Sequence, residues 1–116
     1  MAKRVLVCGG RYFKDLPLLD GSLDKLKADY GISAVIHGGA AGADLMASFW
    51  AGFNRIPVEV YHANWKKHGR AAGPMRNQRM IDEAKPDFVV AFPGGSGTAD
   101  MKRRALKAGL PVITYG

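Results

Sequence analysis

The chain has 116 residues, 47% of them hydrophobic, and carries a net charge of +7, with 17 Lys and Arg against 10 Asp and Glu. That length predicts one domain with its own core, and the single cysteine, Cys8, excludes an intrachain disulfide and suits a reducing compartment. No run reaches the ~18 apolar residues of a membrane span, and the run Val5 to Cys8 is too short for a signal peptide, so a cytoplasmic protein with anionic rather than membrane partners is expected.

The elements follow in chain order. Val5-Leu6-Val7-Cys8, ended by Gly9-Gly10, predicts a first strand. Leu19, Leu23, Leu26 and Tyr30 recur at helical spacing, and Gly31 supplies the stop. Ala34-Val35-Ile36-His37 predicts a second strand, again ended by a double glycine, Gly38-Gly39. Leu45, Met46, Phe49, Trp50 and Phe53 make a broad apolar stripe that predicts the buried face of a second helix. Val58 to Tyr61 reads as a third strand. From His62 to Gly73 no regular pattern appears, and a connection this long in a small domain is often functional. Pro74 is expected to open a third helix, being tolerated at the first helical position, with Met80, Ile81 and Ala84 turned inward. Phe88 to Pro93 is a fourth strand, ended by the third double glycine, Gly94-Gly95. Thr98 or a neighbour is expected to cap a fourth helix reaching about Ala108, with Gly109 and Pro111 ending it. Val112 to Tyr115 closes the chain as a fifth strand.

Short apolar runs without alternation suit strands buried on both faces. Strands alternating with helices predict right-handed crossovers. The expected fold is therefore α/β, a Rossmann-like three-layer αβα sandwich with a mostly parallel sheet of about five strands.

Ligands of open parallel sheets bind outside the carboxyl ends of the strands, where all three double glycines would lie. Glycine lets backbone approach a ligand closely, and a helix N-terminus after such a turn offers free N–H groups to phosphate. The candidates are Gly9, Gly10 and Arg11 after the first strand, Gly38, Gly39, Ala40 and Asp44 after the second, and Gly94, Gly95, Ser96, Gly97 and Thr98 after the fourth. Asp44 is read either as a helix cap or as an acceptor for ribose hydroxyls. Neither glycine segment is a Walker A loop or a GxGxxG fingerprint. From Tyr61 to Ile81 there is no Asp or Glu, but there are Lys66, Lys67, Arg70, Arg76 and Arg79. Arg76, in the first turn of the third helix, would lean toward the sheet edge and present its planar fork to phosphate. Trp65 reads either as a stacking surface for a base or as cover for a core edge. No metal site and no cofactor are expected, and Cys8 reads as an inert core residue.

Four segments together resemble the SLOG superfamily, the group that includes the Lonely Guy phosphoribohydrolases and the Smf/DprA-type proteins. They are Cys8-Gly9-Gly10-Arg11, His37 to Asp44, Ala72 to Met80 and Pro93 to Thr98. The whole chain looks most like the small YspA-type SLOG proteins. The resemblance to the Lonely Guy enzymes implies a phosphate-binding loop at Pro93 to Thr98. It also implies a functional Arg76, with Asn77 standing where those enzymes carry Lys. Their catalytic carboxylate falls here on Met101, which cannot ionise. Asp100 lies one residue earlier, a rotation of about 100° on a helix. Arg76 and Asp100 are thus the candidate catalytic residues, with the hydrolase chemistry expected to be weakened or absent. A homodimer is also what the resemblance implies.

The leading expectation is binding of a nucleotide-derived, phosphate-bearing small molecule. A hydrolase acting on nucleoside monophosphates is the first alternative. Single-stranded nucleic-acid binding, suggested by the charge, is the second; it lacks the interleaved aromatics of a stacking platform.

Overall fold

The computed structural model describes residues 1–116. Five strands form one all-parallel sheet: β1 (Lys3–Cys8), β2 (Ile32–His37), β3 (Val58–Val60), β4 (Phe88–Ala91) and β5 (Val112–Thr114), in the order β3-β2-β1-β4-β5. The central strand β1 pairs with β2 on one side and β4 on the other, so Val5 lies level with Val35 and Phe88, and Leu6 with Ile36 and Val89. The chain winds outward from β1 in both directions, which puts the switch in strand order between β1 and β4.

The uninterrupted apolar runs have a direct explanation, because both faces of the sheet are covered. Val5, Val7, Val35, Val90 and Phe92 pack against helices α1 (Leu16–Tyr30) and α2 (Ala43–Phe53). Leu6, Cys8, Ile36, Val89 and Ala91 pack on the other face against α4 (Ala72–Arg79), its continuation through Ala84, and α5 (Ser96–Lys107). The Rossmann-like three-layer arrangement expected from the sequence is the fold observed. No helix is long and apolar enough to cross a membrane.

Local sequence sets the helix ends. Asp15 caps α1 by accepting from the Leu18 N–H at 3.1 Å, and Gly31, at φ 74°, ends it with an N–H bond to the Lys27 carbonyl. Leu19, Leu23 and Leu26 are buried as their spacing predicts. In α2 the expected stripe is displaced. The residues against the sheet are Ala43, Ala47, Trp50 and Ala51, whereas Leu45, Phe49 and Phe53 are exposed. Small side chains let this helix approach the strands closely, so the larger apolar residues are left on the outer flank. Only Trp50 of the larger ones is fully taken in, with its indole N–H donating to Asp24 at 2.8 Å.

The connection from His62 to Gly73 is more ordered than its composition suggests. Trp65–His68 forms a short helix, α3, with the Asn64 side chain accepting from the Lys67 N–H, and a 3₁₀ turn follows over Gly69–Ala71. The next helix, α4, therefore begins at Ala72 and not at Pro74. Proline is still tolerated there, since the first four N–H groups of a helix have no partner within it. A π-helical turn over Met80–Ala84 continues α4, burying Met80, Ile81 and Ala84. Lys85, in the left-handed conformation at φ 49°, ends the run just before Pro86. Thr98 does not cap α5; the cap position is Gly95, and Thr98 is buried within the first turn.

Candidate functional site

The carboxyl ends of β1, β2 and β4 open into one cleft of about 920 Å³, within the usual range for small-molecule sites. Gly9, Gly10, Arg11, Gly38, Ala40, Asp44, Arg76 and all of Gly94 to Thr98 line it. Of the residues expected at the site, Gly39 and Asp100 are the two that do not.

Two loops close the switch point by interlocking. The Gly10 N–H donates to the Pro93 carbonyl at 2.8 Å, and the backbones of Gly10 and Gly94 touch. A β-carbon on Gly94 would collide with the Thr98 hydroxyl and lie 2.7 Å from the Gly10 nitrogen. Glycine is needed here for close approach. Gly95 and Gly97 differ, because a β-carbon at either would meet nothing within 4 Å.

The three glycine loops turn out to do different work. In the loop after β2 the first three N–H groups are already used. Those of Gly38 and Ala40 both donate to Asp44 Oδ2, at 3.1 and 3.2 Å, and that of Gly39 donates to His37 Nδ1 at 2.9 Å. Asp44 is thus neither a cap of α2 nor a free acceptor with both oxygens; it secures the preceding loop through Oδ2, and Oδ1 takes part in neither bond. In the loop after β1, the Gly10 N–H is committed to Pro93. The loop after β4 leads into a helix N-terminus whose donors are free. No side chain caps α5, and Ala99 is the first residue of that helix whose N–H finds a backbone acceptor, the Gly95 carbonyl at 3.1 Å. The N–H groups of Ser96, Gly97 and Thr98 therefore stand at the cleft with the positive end of the helix dipole behind them.

Arg76 crosses the cleft floor. Its Nη1 donates to the Gly38 carbonyl at 2.7 Å and to the Tyr61 carbonyl at 3.4 Å, and its Nε donates to Asn77 Oδ1 at 3.0 Å. Any side chain at Gly38 would occupy the space of this guanidinium, so the double glycine after β2 seats Arg76. Nη2 remains outside these bonds. Burial lowers the Arg76 pKa from its ordinary value, and the nearby Asp44 works against that.

Asn77, 4% exposed, fastens α4 to α5: its Nδ2 donates to the Gly97 carbonyl at 3.3 Å and to Asp100 Oδ2 at 3.0 Å. Asp100 also accepts from Arg104 Nε at 2.8 Å and Arg103 Nη2 at 3.4 Å. Burial alone would raise its pKa, but the bonds from Arg104 and Asn77 and the two arginine charges hold it below the ordinary value. Its carboxylate is turned to these partners, while Met101, 1% exposed, lines the cleft. Sequence reasoning did not single out Asn77 as a site residue, although a signal was present. Asn77, Met80, Ile81 and Ala84 fall at one helical spacing, which places a polar side chain on an inward stripe.

Two buried ionisable groups, Asp44 and His37, each hold part of the loop after β2. Burial pushes Asp44 up to about 6 despite the bonds from Ala40 and Gly38 and the charge of Arg76. Burial, with His62 and Arg76 adding to it, pushes His37 down to about 4. His37 is neutral at pH 7; its Nδ1 accepts from Gly39, so Nε2 carries the proton and meets Ser48 Oγ at 2.5 Å. Burial, reinforced by the charge of Asp44, pushes the Cys8 thiol up to about 12, so Cys8 lines the floor without thiolate character. No three His, Cys, Asp or Glu side chains are grouped to hold a metal ion.

Comparison with known proteins places these features in a family. The model of the YspA, cpYpsA-related SLOG family matches residues 3–68, which include the loops after β1 and β2. Gene 61 protein of Mycobacterium phage D29 is 44% identical over 124 aligned positions, covering 98% of this chain and 97% of that protein.

Proposed function

This chain belongs to the YspA, cpYpsA-related SLOG family, and on that premise we propose that it binds a nucleotide-derived, phosphate-bearing small molecule at the carboxyl ends of β1, β2 and β4. The observation that carries this reading is the set of uncapped N–H groups at Ser96, Gly97 and Thr98, opening on a cleft whose floor holds Arg76. A phosphate there would accept from the α5 N-terminus and from the Ser96 and Thr98 hydroxyls, and would be countered by Arg76 and Arg11. Asp44 Oδ1 is the acceptor for ribose hydroxyls.

Binding is preferred over glycosidic cleavage for a specific reason. Asp44 is the one carboxylate that lines the cleft, and one of its oxygens is already engaged. Cleavage of this type leans on carboxylates at the reacting carbon, and the position where the resemblance implies one is Met101. The test is calorimetric titration of the folded protein with nucleoside monophosphates and ADP-ribose. Saturable heat that is lost in Arg76→Ala supports the reading; no heat with any of them overturns it. Release of free base from a monophosphate would instead favour the hydrolase.

A further inference from the structure

We propose that Trp65 is the platform on which the planar ring of the ligand stacks, so that the site selects base-bearing nucleotides over sugar phosphates. The inference rests on the phosphate reading above and adds to it the second end of the cleft.

The two tryptophans of the chain are in opposite situations. Trp50 is 4% exposed and its indole N–H is bonded to Asp24. Trp65 is 58% exposed, yet it lines the same cleft as Ser96 to Thr98 and Arg76. An indole left in water forfeits the burial that ordinarily holds such a side chain in place. Here it is held instead by local design. Asn64 caps the helix that Trp65 opens, and Gly69 closes it with an N–H bond to the Trp65 carbonyl. The ring rests against α4 at Gly73, where a β-carbon would stand 3.0 Å from its Cη2 atom. Gly73 is therefore the seat of the indole, as Gly38 is the seat of Arg76. The ring is supported on one side by helix backbone and presented to the cleft.

The surroundings suit a nucleotide. The segment from Tyr61 to Ile81 contains no acidic residue, so nothing on this wall repels an anionic ligand. Stacking needs only a π face, which every base provides and a bare sugar phosphate lacks.

The test compares AMP, GMP, CMP, UMP and ADP-ribose with ribose 5-phosphate, by calorimetry and by tryptophan fluorescence, in the wild-type protein, Trp65→Ala and Trp65→Phe. The best base-bearing probe should bind the wild type about tenfold or more tightly than ribose 5-phosphate. It should quench the emission of Trp65, leaving that of the buried Trp50. In Trp65→Ala the preference should collapse to near unity while ribose 5-phosphate binds as before, which also shows that the variant is folded. Trp65→Phe should restore part of the preference. A preference that survives in Trp65→Ala overturns the proposal, as does equal wild-type binding of all probes; in both cases the phosphate site stands. Absence of binding by every probe overturns the phosphate reading and this inference with it.

Discussion

Asp44→Asn offers a sharp perturbation, because it should make the protein more stable and less functional at once. The amide oxygen of asparagine can accept from the Gly38 and Ala40 N–H groups as Asp44 Oδ2 does, but asparagine never ionises in this buried position. A carboxyl raised from 3.8 to about 6 by folding costs stability once it is charged. A tenfold change in proton affinity is worth about 1.4 kcal/mol, so the cost reaches about 3 kcal/mol above pH 7 and shrinks to about 1 kcal/mol near pH 4.5. The sign follows from proton binding: between the two pKa values the folded protein holds more protons than the unfolded one, so this contribution is lost as pH rises. His37 runs the opposite way. Its pKa falls from 6.5 to about 4 on folding, so its contribution is intact above pH 6.5 and is lost as pH falls toward 4. In the wild type the two oppose each other between pH 4.5 and 6.5, so stability should change less over that range than either group alone would make it. In Asp44→Asn the His37 contribution is no longer opposed by Asp44, and stability should drop by roughly 2 kcal/mol as pH falls from 6.5 to 4.5. Urea denaturation of both proteins at pH 4.5, 5.5, 6.5 and 7.5 measures this. A variant less stable than the wild type at pH 7.5, or a difference independent of pH, would refute the reasoning. Affinity for the ligand should fall about tenfold, as expected for losing a charged acceptor; a buried carboxylate that costs stability is then retained for binding.

Other outcomes follow from single positions. Gly94→Ala should destabilise by about 2 kcal/mol or more, since its β-carbon meets Thr98 and the Gly10 backbone, and a thermal melt will show it. Gly97→Ala has open space around it and replaces glycine within a helix, so it should stabilise by about 0.5–1 kcal/mol; weakened phosphate binding in this well-folded variant would be read by calorimetry. Arg76→Ala should abolish ligand binding more completely than Arg76→Lys, whose point charge cannot reproduce the contacts to Gly38, Tyr61 and Asn77. Cys8 should resist a thiol-specific reagent at pH 8 in the folded protein and react freely in urea, because burial keeps it protonated.

The parallel sheet was legible because central strands buried on both faces must be apolar throughout, as Val5 to Cys8 and Phe88 to Phe92 are. The second helix was misread on its flank for a physical reason. Hydrophobic periodicity weighs large side chains most, whereas close packing on the sheet selected Ala43, Ala47 and Ala51. The order within His62 to Gly73 was invisible because a one-turn helix stands on its Asn64 cap and its glycine stop, too short for any period to show. At the site, the sequence marked all three glycine loops alike. What separates them is the destination of their N–H groups. Asp44 and His37 take those of Gly38, Gly39 and Ala40 within the loop itself, and Pro93 takes that of Gly10 from across the sheet; neither the side-chain geometry of the first nor the long-range contact of the second shows as a sequence pattern.

The central claim, that phosphate is held at the N-terminus of α5, is tested most directly by amide chemical-shift mapping in ¹⁵N-labelled protein titrated with AMP. The account predicts saturable shifts largest at Ser96, Gly97 and Thr98, with the Arg76 side-chain Nε–H responding, and smaller changes at Gly38 to Ala40, where the N–H groups are already bonded. Inorganic phosphate should move the same α5 amides more weakly. Shifts centred on Gly38 to Ala40, or on the outer face of α5 at Lys102 and Arg103, with Ser96 to Thr98 unmoved, would contradict it.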